Sequence, residues 1–184
     1  MILVSVACAS ADEGDKASRV FRNIQVKAPD ISGAVSALKL EPLAGQASKS
    51  RVRMIATGWW FSSVSIEIPD DGTQAPMAEQ RSCAMDASTK QAVLEIRRAV
   101  LTEQEITSLK AALRAGGVFA SPLVKNSARP PIDSGCYFIE TASATDYRWV
   151  YRAGLIESSP DCRELATILF RISSRLESLP DTSK

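Results

Sequence analysis

The stretch that decides the fold reads CYFIE at 136–140 and YRWVY at 147–151, and it continues through SPDC at 159–162 into an apolar helical segment. The first two segments are rich in aromatic and β-branched residues and stand a turn apart, which predicts an antiparallel hairpin. Ser159 and Pro160 are typical of the first turn of a helix. Apolar residues then recur at helical spacing at Leu165, Ile168, Leu169, Ile172 and Leu176.

The alternation of side chains along the two strands predicts what each face of the hairpin carries. A turn at 143–146 places Glu140 opposite Trp149, on a face rich in aromatic residues. Ile139 and Val150 then lie on the other face. We expect the C-terminal helix to cover the aromatic face, where a carboxylate is costly unless it is paired or lies at the rim.

Two cysteines flank this hairpin and meet the start of the helix. Cys136 and Cys162 are the preferred disulfide pair, and closing a loop of this length stabilises a fold by roughly 3 kcal/mol in the absence of strain. Pairing of Cys83 with either of them, or three buried thiols, are the alternatives.

Upstream, residues 51–57, 60–68 and 91–101 alternate in the manner of strands. Thr102 and Glu105 form a capping box before an apolar stripe of helical period, which predicts a helix. Residues 34–40 fit either a strand or a short helix, and 73–90 resemble a surface loop that carries Cys83. The whole predicts an α+β fold, with a mainly antiparallel sheet and two principal helices packed on one face.

The N-terminal residues resemble the end of a secretory signal. An apolar run ends in Ala9-Ser10-Ala11, a small-x-small pattern that predicts cleavage before Asp12. Residues 1–11 are therefore read as a signal-peptide remnant and 12–184 as a single α+β domain, periplasmic or secreted. Acylation at Cys8, as in a lipoprotein, and a buried N-terminal strand are the alternatives. No apolar run reaches the length of a transmembrane span.

Composition excludes several classes of protein. The chain has 184 residues, 45% hydrophobic and 23% charged, with a net charge of +1. A folded protein is expected, without the basic excess of a nucleic-acid binder. The chain has no histidine and no CxxC motif. Zinc fingers, HExxH metalloproteases and histidine-dependent nucleophiles are therefore excluded, and no metal or cofactor is predicted.

Glu140 is the candidate catalytic residue. A carboxylate among aromatic side chains can have a raised pKa and act as a general acid. The alternative is a structural carboxylate paired with an arginine, which is the commoner case where no second carboxylate is fixed beside it.

Trp59 and Trp60 are the candidate binding residues. Adjacent residues of a strand point to opposite faces, so both cannot be buried if one face is solvated. An exposed tryptophan serves as an anchor for a protein or a cell-envelope polymer. The alternative is a sheet that is covered on both faces.

The C-terminal pattern GCYFIE (135–140), YRWVYR (147–152), Pro160 and a last helix resembles small exported bacterial proteins of unknown function. The resemblance covers roughly the second half of the chain. It implies export and an α+β domain, and no activity.

The sequence thus predicts an exported, non-enzymatic protein that binds another macromolecule, such as an inhibitor or an immunity-type partner of a secreted enzyme. A histidine-free, glycan-active enzyme built on Glu140 is one alternative. A structural component of the cell envelope is the other.

Overall fold

The computed structural model describes residues 19, 22, 29–43, 49–57, 61–69, 72, 74–85, 92–115, 136–143, 146–153 and 162–181. The helices and strands of this part are α1 (Pro29–Ala37), β1 (Lys49–Ala56), β2 (Phe61–Pro69), β3 (Met77–Met85), β4 (Ala92–Val100), α2 (Glu103–Arg114), β5 (Cys136–Ala142), β6 (Tyr147–Ala153) and α3 (Arg163–Glu177). The predicted α+β class is confirmed.

The strands form one six-stranded sheet in the order β4-β3-β2-β1-β5-β6. Every neighbouring pair is antiparallel, so the predicted antiparallel sheet is confirmed. The predicted hairpin register also holds, since Glu140 pairs with Trp149. Because β5 adds beside β1, the C-terminal hairpin extends the sheet made by the first four strands.

The helices α2 and α3 pack on one face of the sheet, called here the helical face. Val52, Val64 and Ile139 supply the sheet side of its core, and α3 buries an apolar stripe against them. The predicted capping box opens α2, with Thr102 Oγ1 accepting from the Glu105 amide and the Glu105 side chain accepting from the Thr102 amide. The two principal helices therefore lie on one face, as predicted.

The opposite face, called here the α1 face, is covered in part by the remaining helix, α1. Ile31 of α1 and Leu38, which follows the helix, are fully buried, and they belong to one apolar cluster with Ile55 and Phe138 of the sheet. Of the two structures open for 34–40, the chain adopts the helix. The helix ends at Ala37 and is closed by a residue of positive φ, Lys39 (φ 51), with the Leu40 amide donating back to the Val35 carbonyl.

The prediction of a loop over 73–90 is wrong for its central part, because Met77–Met85 forms β3 between β2 and β4. The alternation of apolar and polar residues that marks a strand is missing from this sequence, because polar residues occupy buried positions of β3. Gln80 is 1% exposed and donates to Ser173 Oγ and Glu177 Oε1 of α3, at 3.2 and 2.9 Å. A buried polar side chain with such partners replaces the apolar one that the pattern requires.

The predicted Cys136–Cys162 disulfide is also wrong. In the part of the chain that the structure describes, no two of Cys83, Cys136 and Cys162 lie at disulfide distance from each other. Cys136 belongs to the cluster on the α1 face, whereas Cys162 lies in the core of the helical face, and its Sγ is 3.2 Å from the Tyr137 hydroxyl. The helix α3 covers the face of Ile139 and Val150 instead of the aromatic one, so the sheet itself separates the two sulfur atoms.

The start of α3 differs from the prediction as well. The helix begins at Arg163, with Cys162 at the N-cap position and no side-chain hydrogen bond to the first turn. The predicted cap, Ser159, lies outside the described residues, as do residues 1–11. No helix in the described ranges is long and apolar enough to cross a membrane.

Candidate functional site

One row of side chains crosses the α1 face from edge to edge. The strand registers place Trp149, Glu140, Arg53, Ser65, Glu79 and Arg98 side by side in that order. Alternate residues of a strand share a face, so each strand contributes one member of the row. The row is polar where α1 does not cover the sheet, and it places the predicted residue Glu140 beside a cation.

Glu140 lies at the centre of a buried polar cluster with Arg53 and Tyr147. The Glu140 side chain is fully buried, and that of Arg53 is 5% exposed. Arg53 Nε donates to Glu140 Oε1 at 2.6 Å and Tyr147 Oη donates to Oε2 at 2.5 Å, while Arg53 Nη2 forms an ion pair with Oε1. Both carboxylate oxygens are therefore bound by groups of the protein.

Electrostatics keep the phenol of this cluster protonated. Burial and then the negative charge of Glu140 raise the pKa of Tyr147 far above its usual range, and its hydrogen bond to the carboxylate acts in the same direction. Tyr147 is therefore a permanent donor to Glu140. The cluster is a charged carboxylate held by one cation and one neutral phenol, an arrangement typical of a structural ion pair.

Two arginines of the sheet hold the chain that follows α1. Arg53 Nη1 donates to the Glu41 carbonyl at 2.8 Å, and Arg81 Nη1 donates to the Lys39 carbonyl at 2.9 Å. Arg81 also reaches the Leu38 carbonyl at 3.2 Å. These carbonyls lie at and beyond the end of a helix, where backbone acceptors lack intrahelical donors. The buried pair is thus linked directly to the position of segment 38–43.

A cavity of about 190 Å³ lies beneath this segment, on the polar half of the α1 face. Its walls carry charges of both signs, from Lys39, Glu41, Arg51, Arg53, Glu67, Glu79 and Arg81. Arg51 and Glu67 are paired at 2.6 Å, and Arg81 and Glu79 at 2.8 Å. Burial alone raises the pKa of Glu67, but hydrogen bonds and charges from Lys49 and Arg51 outweigh it and lower the pKa below 4.5. Most of the charged side chains that line the cavity are thus paired with a neighbour of opposite charge.

Glu140 does not line this cavity. The carboxylates that do line it are Glu41, Glu67 and Glu79, and the Arg53 guanidinium stands between them and Glu140. A glycosidase needs two carboxylates that both reach the substrate. Glu140 is fully buried and has no open side from which a substrate could reach it.

The predicted anchors Trp59 and Trp60 lie outside the described residues, but both flanks of their segment are fixed. On one side, the amide of Thr57 donates to the Cys136 carbonyl at 2.8 Å, and Thr57 Oγ1 accepts from the Cys136 amide at 3.0 Å. On the other side, Phe61 packs in the α1 cluster, so close to the helix that a Cβ on Gly33 would lie 3.3 Å from its Cζ.

The described residues contain no group of histidine, cysteine or acidic side chains that could hold a metal ion. Sequence reasoning identified Glu140 but missed Arg53, because its place in an alternating strand read as solvent-facing. The available signal was a pair of arginines, Arg51 and Arg53, on the polar side of a strand that has to pair with other strands on both sides. Comparison of the chain with protein-family models and with characterised proteins gave no match.

Proposed function

We propose that this protein is exported to the periplasm or secreted, and that it binds another macromolecule, a protein or a cell-envelope polymer, without catalysing a reaction. The observation that carries the proposal is the state of Glu140, the one acidic residue singled out for chemistry. It is fully buried, with both oxygens bound by Arg53 and Tyr147.

This state of Glu140 favours binding over the alternative of a glycan-active enzyme. A general acid has to reach the substrate within hydrogen-bonding distance and exchange its proton. Freeing Glu140 requires breaking a buried ion pair, which costs about 3–5 kcal/mol. Glu140 therefore has a structural role, and we look for the function in residues at the surface.

The geometry around Trp59 and Trp60 supports their role as anchors. Binding residues on connections work best when the scaffold beside them is rigid. Thr57 and Phe61, which flank the pair, are held by hydrogen bonds to Cys136 and by close packing on α1. Two large aromatic side chains between fixed points can bind at a low cost in conformational entropy.

Capture from an envelope extract tests the proposal. The tagged protein that starts at Asp12 is expected to retain a partner, and Trp59→Ser and Trp60→Ser are each expected to weaken the capture by at least tenfold. Met77→Ser is the matched control, because it removes an exposed apolar side chain (41% exposed) from a strand away from this connection. Equal capture by all four proteins would refute the assignment of the anchors.

Export has its own test. The mature protein recovered from the producing cell is expected to begin at Asp12 and to fractionate with the periplasm or the medium. An N-terminus that retains residues 1–11, in a cytosolic fraction, would remove export from the proposal and leave the binding claim to the capture experiment.

A further inference from the structure

The cavity beneath segment 38–43 has a floor of side chains from β1, β2 and β3. Strand pairing places Ser65 of β2 between Arg53 of β1 and Glu79 of β3, and all three line the cavity. Serine is much shorter than these two charged neighbours, so space is left over it. The cavity, of about 190 Å³, has room for a ligand of about six non-hydrogen atoms, since a water molecule takes up about 30 Å³.

The charges around this cavity balance, and the balance limits the ligands that suit it. Its lining carries cations and carboxylates, namely Lys39, Arg51, Arg53 and Arg81 against Glu41, Glu67 and Glu79. Glu140, which is bound to Arg53 from behind, adds one more carboxylate. A ligand with a net charge would meet groups of its own sign as well as groups of the opposite sign. A ligand that carries both charges and is neutral overall fits such a lining better.

Some polar groups of the lining have no partner within the described residues. The Nε of Arg51 is buried without a hydrogen-bond partner, although Nη2 of the same side chain donates to Glu67 Oε1 at 2.6 Å. The Ser65 hydroxyl and the charged ends of Lys39 and Glu41 also make no bond within the described part of the chain. Buried donors are nearly always satisfied. Arg51 Nε therefore indicates an acceptor that the described residues do not supply.

We propose that this cavity binds a small zwitterionic α-amino acid. The carboxylate of the ligand accepts from Arg51 Nε, from the Ser65 hydroxyl and from Lys39. Its ammonium group donates to Glu41. Hydrogen bonds to charged groups are stronger than those between neutral groups, so the two ends together fix the orientation of the ligand. Segment 38–43 supplies both Lys39 and Glu41, so a bound amino acid also holds this segment against the sheet. The inference does not depend on the proposed function, since it uses neither tryptophan.

Isothermal titration calorimetry of the full chain with three small molecules tests the need for both charges. Alanine carries both charges, propionate is alanine without the ammonium group, and ethylamine is alanine without the carboxylate. Alanine, in its L or its D form, is expected to bind in the micromolar to millimolar range that is open to so small a ligand. Propionate and ethylamine are each expected to bind about tenfold more weakly or worse, because each loses hydrogen bonds between charged groups. Absence of alanine binding at millimolar concentration, or equal binding of alanine and either analogue, overturns the proposal.

Two variants separate the two ends of the ligand. Glu41→Gln removes the charged acceptor of the ammonium group, so its affinity for alanine is expected to fall to about that for propionate. Arg51→Lys keeps a cation beside Glu67 but lacks Nε, and it is expected to weaken alanine binding by about tenfold. Arg98→Gln is the matched control, because Arg98 pairs with Glu79 without lining the cavity. A preference for alanine over propionate that survives in Glu41→Gln overturns the assignment, and so does an equal loss in Arg98→Gln.

Ser65→Leu tests the location of the site without changing a charge. The larger side chain fills the floor of the cavity, so loss of alanine binding with an unchanged circular dichroism spectrum is expected. Should Ser65→Leu fail to fold, Ser65→Ala removes only the hydroxyl and is expected to weaken alanine binding by about fivefold. A folded Ser65→Leu protein, or in its place a Ser65→Ala protein, that binds alanine as tightly as wild type overturns the site.

Discussion

Replacing Arg53 by methionine removes the cation beside Glu140 and keeps much of the aliphatic stem. The side chains of Arg53 and Glu140 are 5% and 0% exposed, so water cannot take the place of the guanidinium. Leaving one member of a buried ion pair without the other costs about 3–5 kcal/mol. The Glu41 carbonyl also loses its donor, worth about 1 kcal/mol. We expect Arg53→Met to lower the free energy of unfolding by about 4 kcal/mol, a large share of the roughly 5–15 kcal/mol of a typical domain.

Urea unfolding followed by circular dichroism measures this loss, with two further variants as controls. Glu140→Leu leaves Arg53 without its carboxylate, and a loss similar to that of Arg53→Met is expected. The double variant removes both charges and is expected to recover most of the stability, because an apolar pair of similar volume often replaces a buried ion pair at little cost. Arg98→Met breaks the exposed pair with Glu79 and is expected to cost at most about 1 kcal/mol.

Two results would contradict this reasoning. If Arg53→Met and Arg98→Met lower the stability equally, the pair at Glu140 is hydrated in solution and not buried. If the losses of Arg53→Met and Glu140→Leu simply add in the double variant, the two side chains do not interact, since coupled neighbours depart from additivity.

Three further predictions concern the helices and the cysteines. Burial raises the pKa of Glu105, but bonds from Arg175 and Thr102 outweigh it and lower the pKa below 4.5, so the stability that Glu105 adds is present above pH 4.5 and lost as pH falls through its folded-state pKa. Wild type should therefore lose stability more steeply than Glu105→Gln in acid urea titrations. Thr102→Ala should cost about 1 kcal/mol in the same assay, against almost nothing for the exposed Thr107→Ala. Because Cys136 and Cys162 lie on opposite faces of the sheet, a reducing agent should leave the urea midpoint unchanged, whereas a disulfide between them would add roughly 3 kcal/mol of stability that the reducing agent removes.

The features that the sequence predicts well are those in which one face of an element is apolar. The hairpin of β5 and β6, the capping box of α2 and the strand β2 follow from local rules on alternation, turns and caps, and the structure has them in place. These rules depend on neighbours in sequence, which a reader of the chain can see.

The features that it predicts poorly depend on distant partners. The strand β3 escapes detection because Gln80 takes a buried position and finds its partners about ninety residues away on α3. Arg53 reads as solvent-facing because nothing nearby shows that segment 38–43 covers it. The disulfide prediction fails because it places α3 on the wrong face of the hairpin. Both faces carry apolar residues, so the sequence does not show which one the helix covers.

The buried pair also explains why the register of the central strands is unambiguous. A slip of one residue in β1 turns Arg53 towards the helical face, among apolar side chains such as Val64 and Ile139. Both Arg53 and Glu140 then lack partners, at a cost larger than that of any apolar side chain displaced with them. We infer that the pair contributes register specificity more than net stability. In the double variant Arg53→Met and Glu140→Leu, stability should therefore survive while amide resonances of β1 and β5 multiply in NMR spectra; a single sharp set would assign the register to the apolar pattern alone.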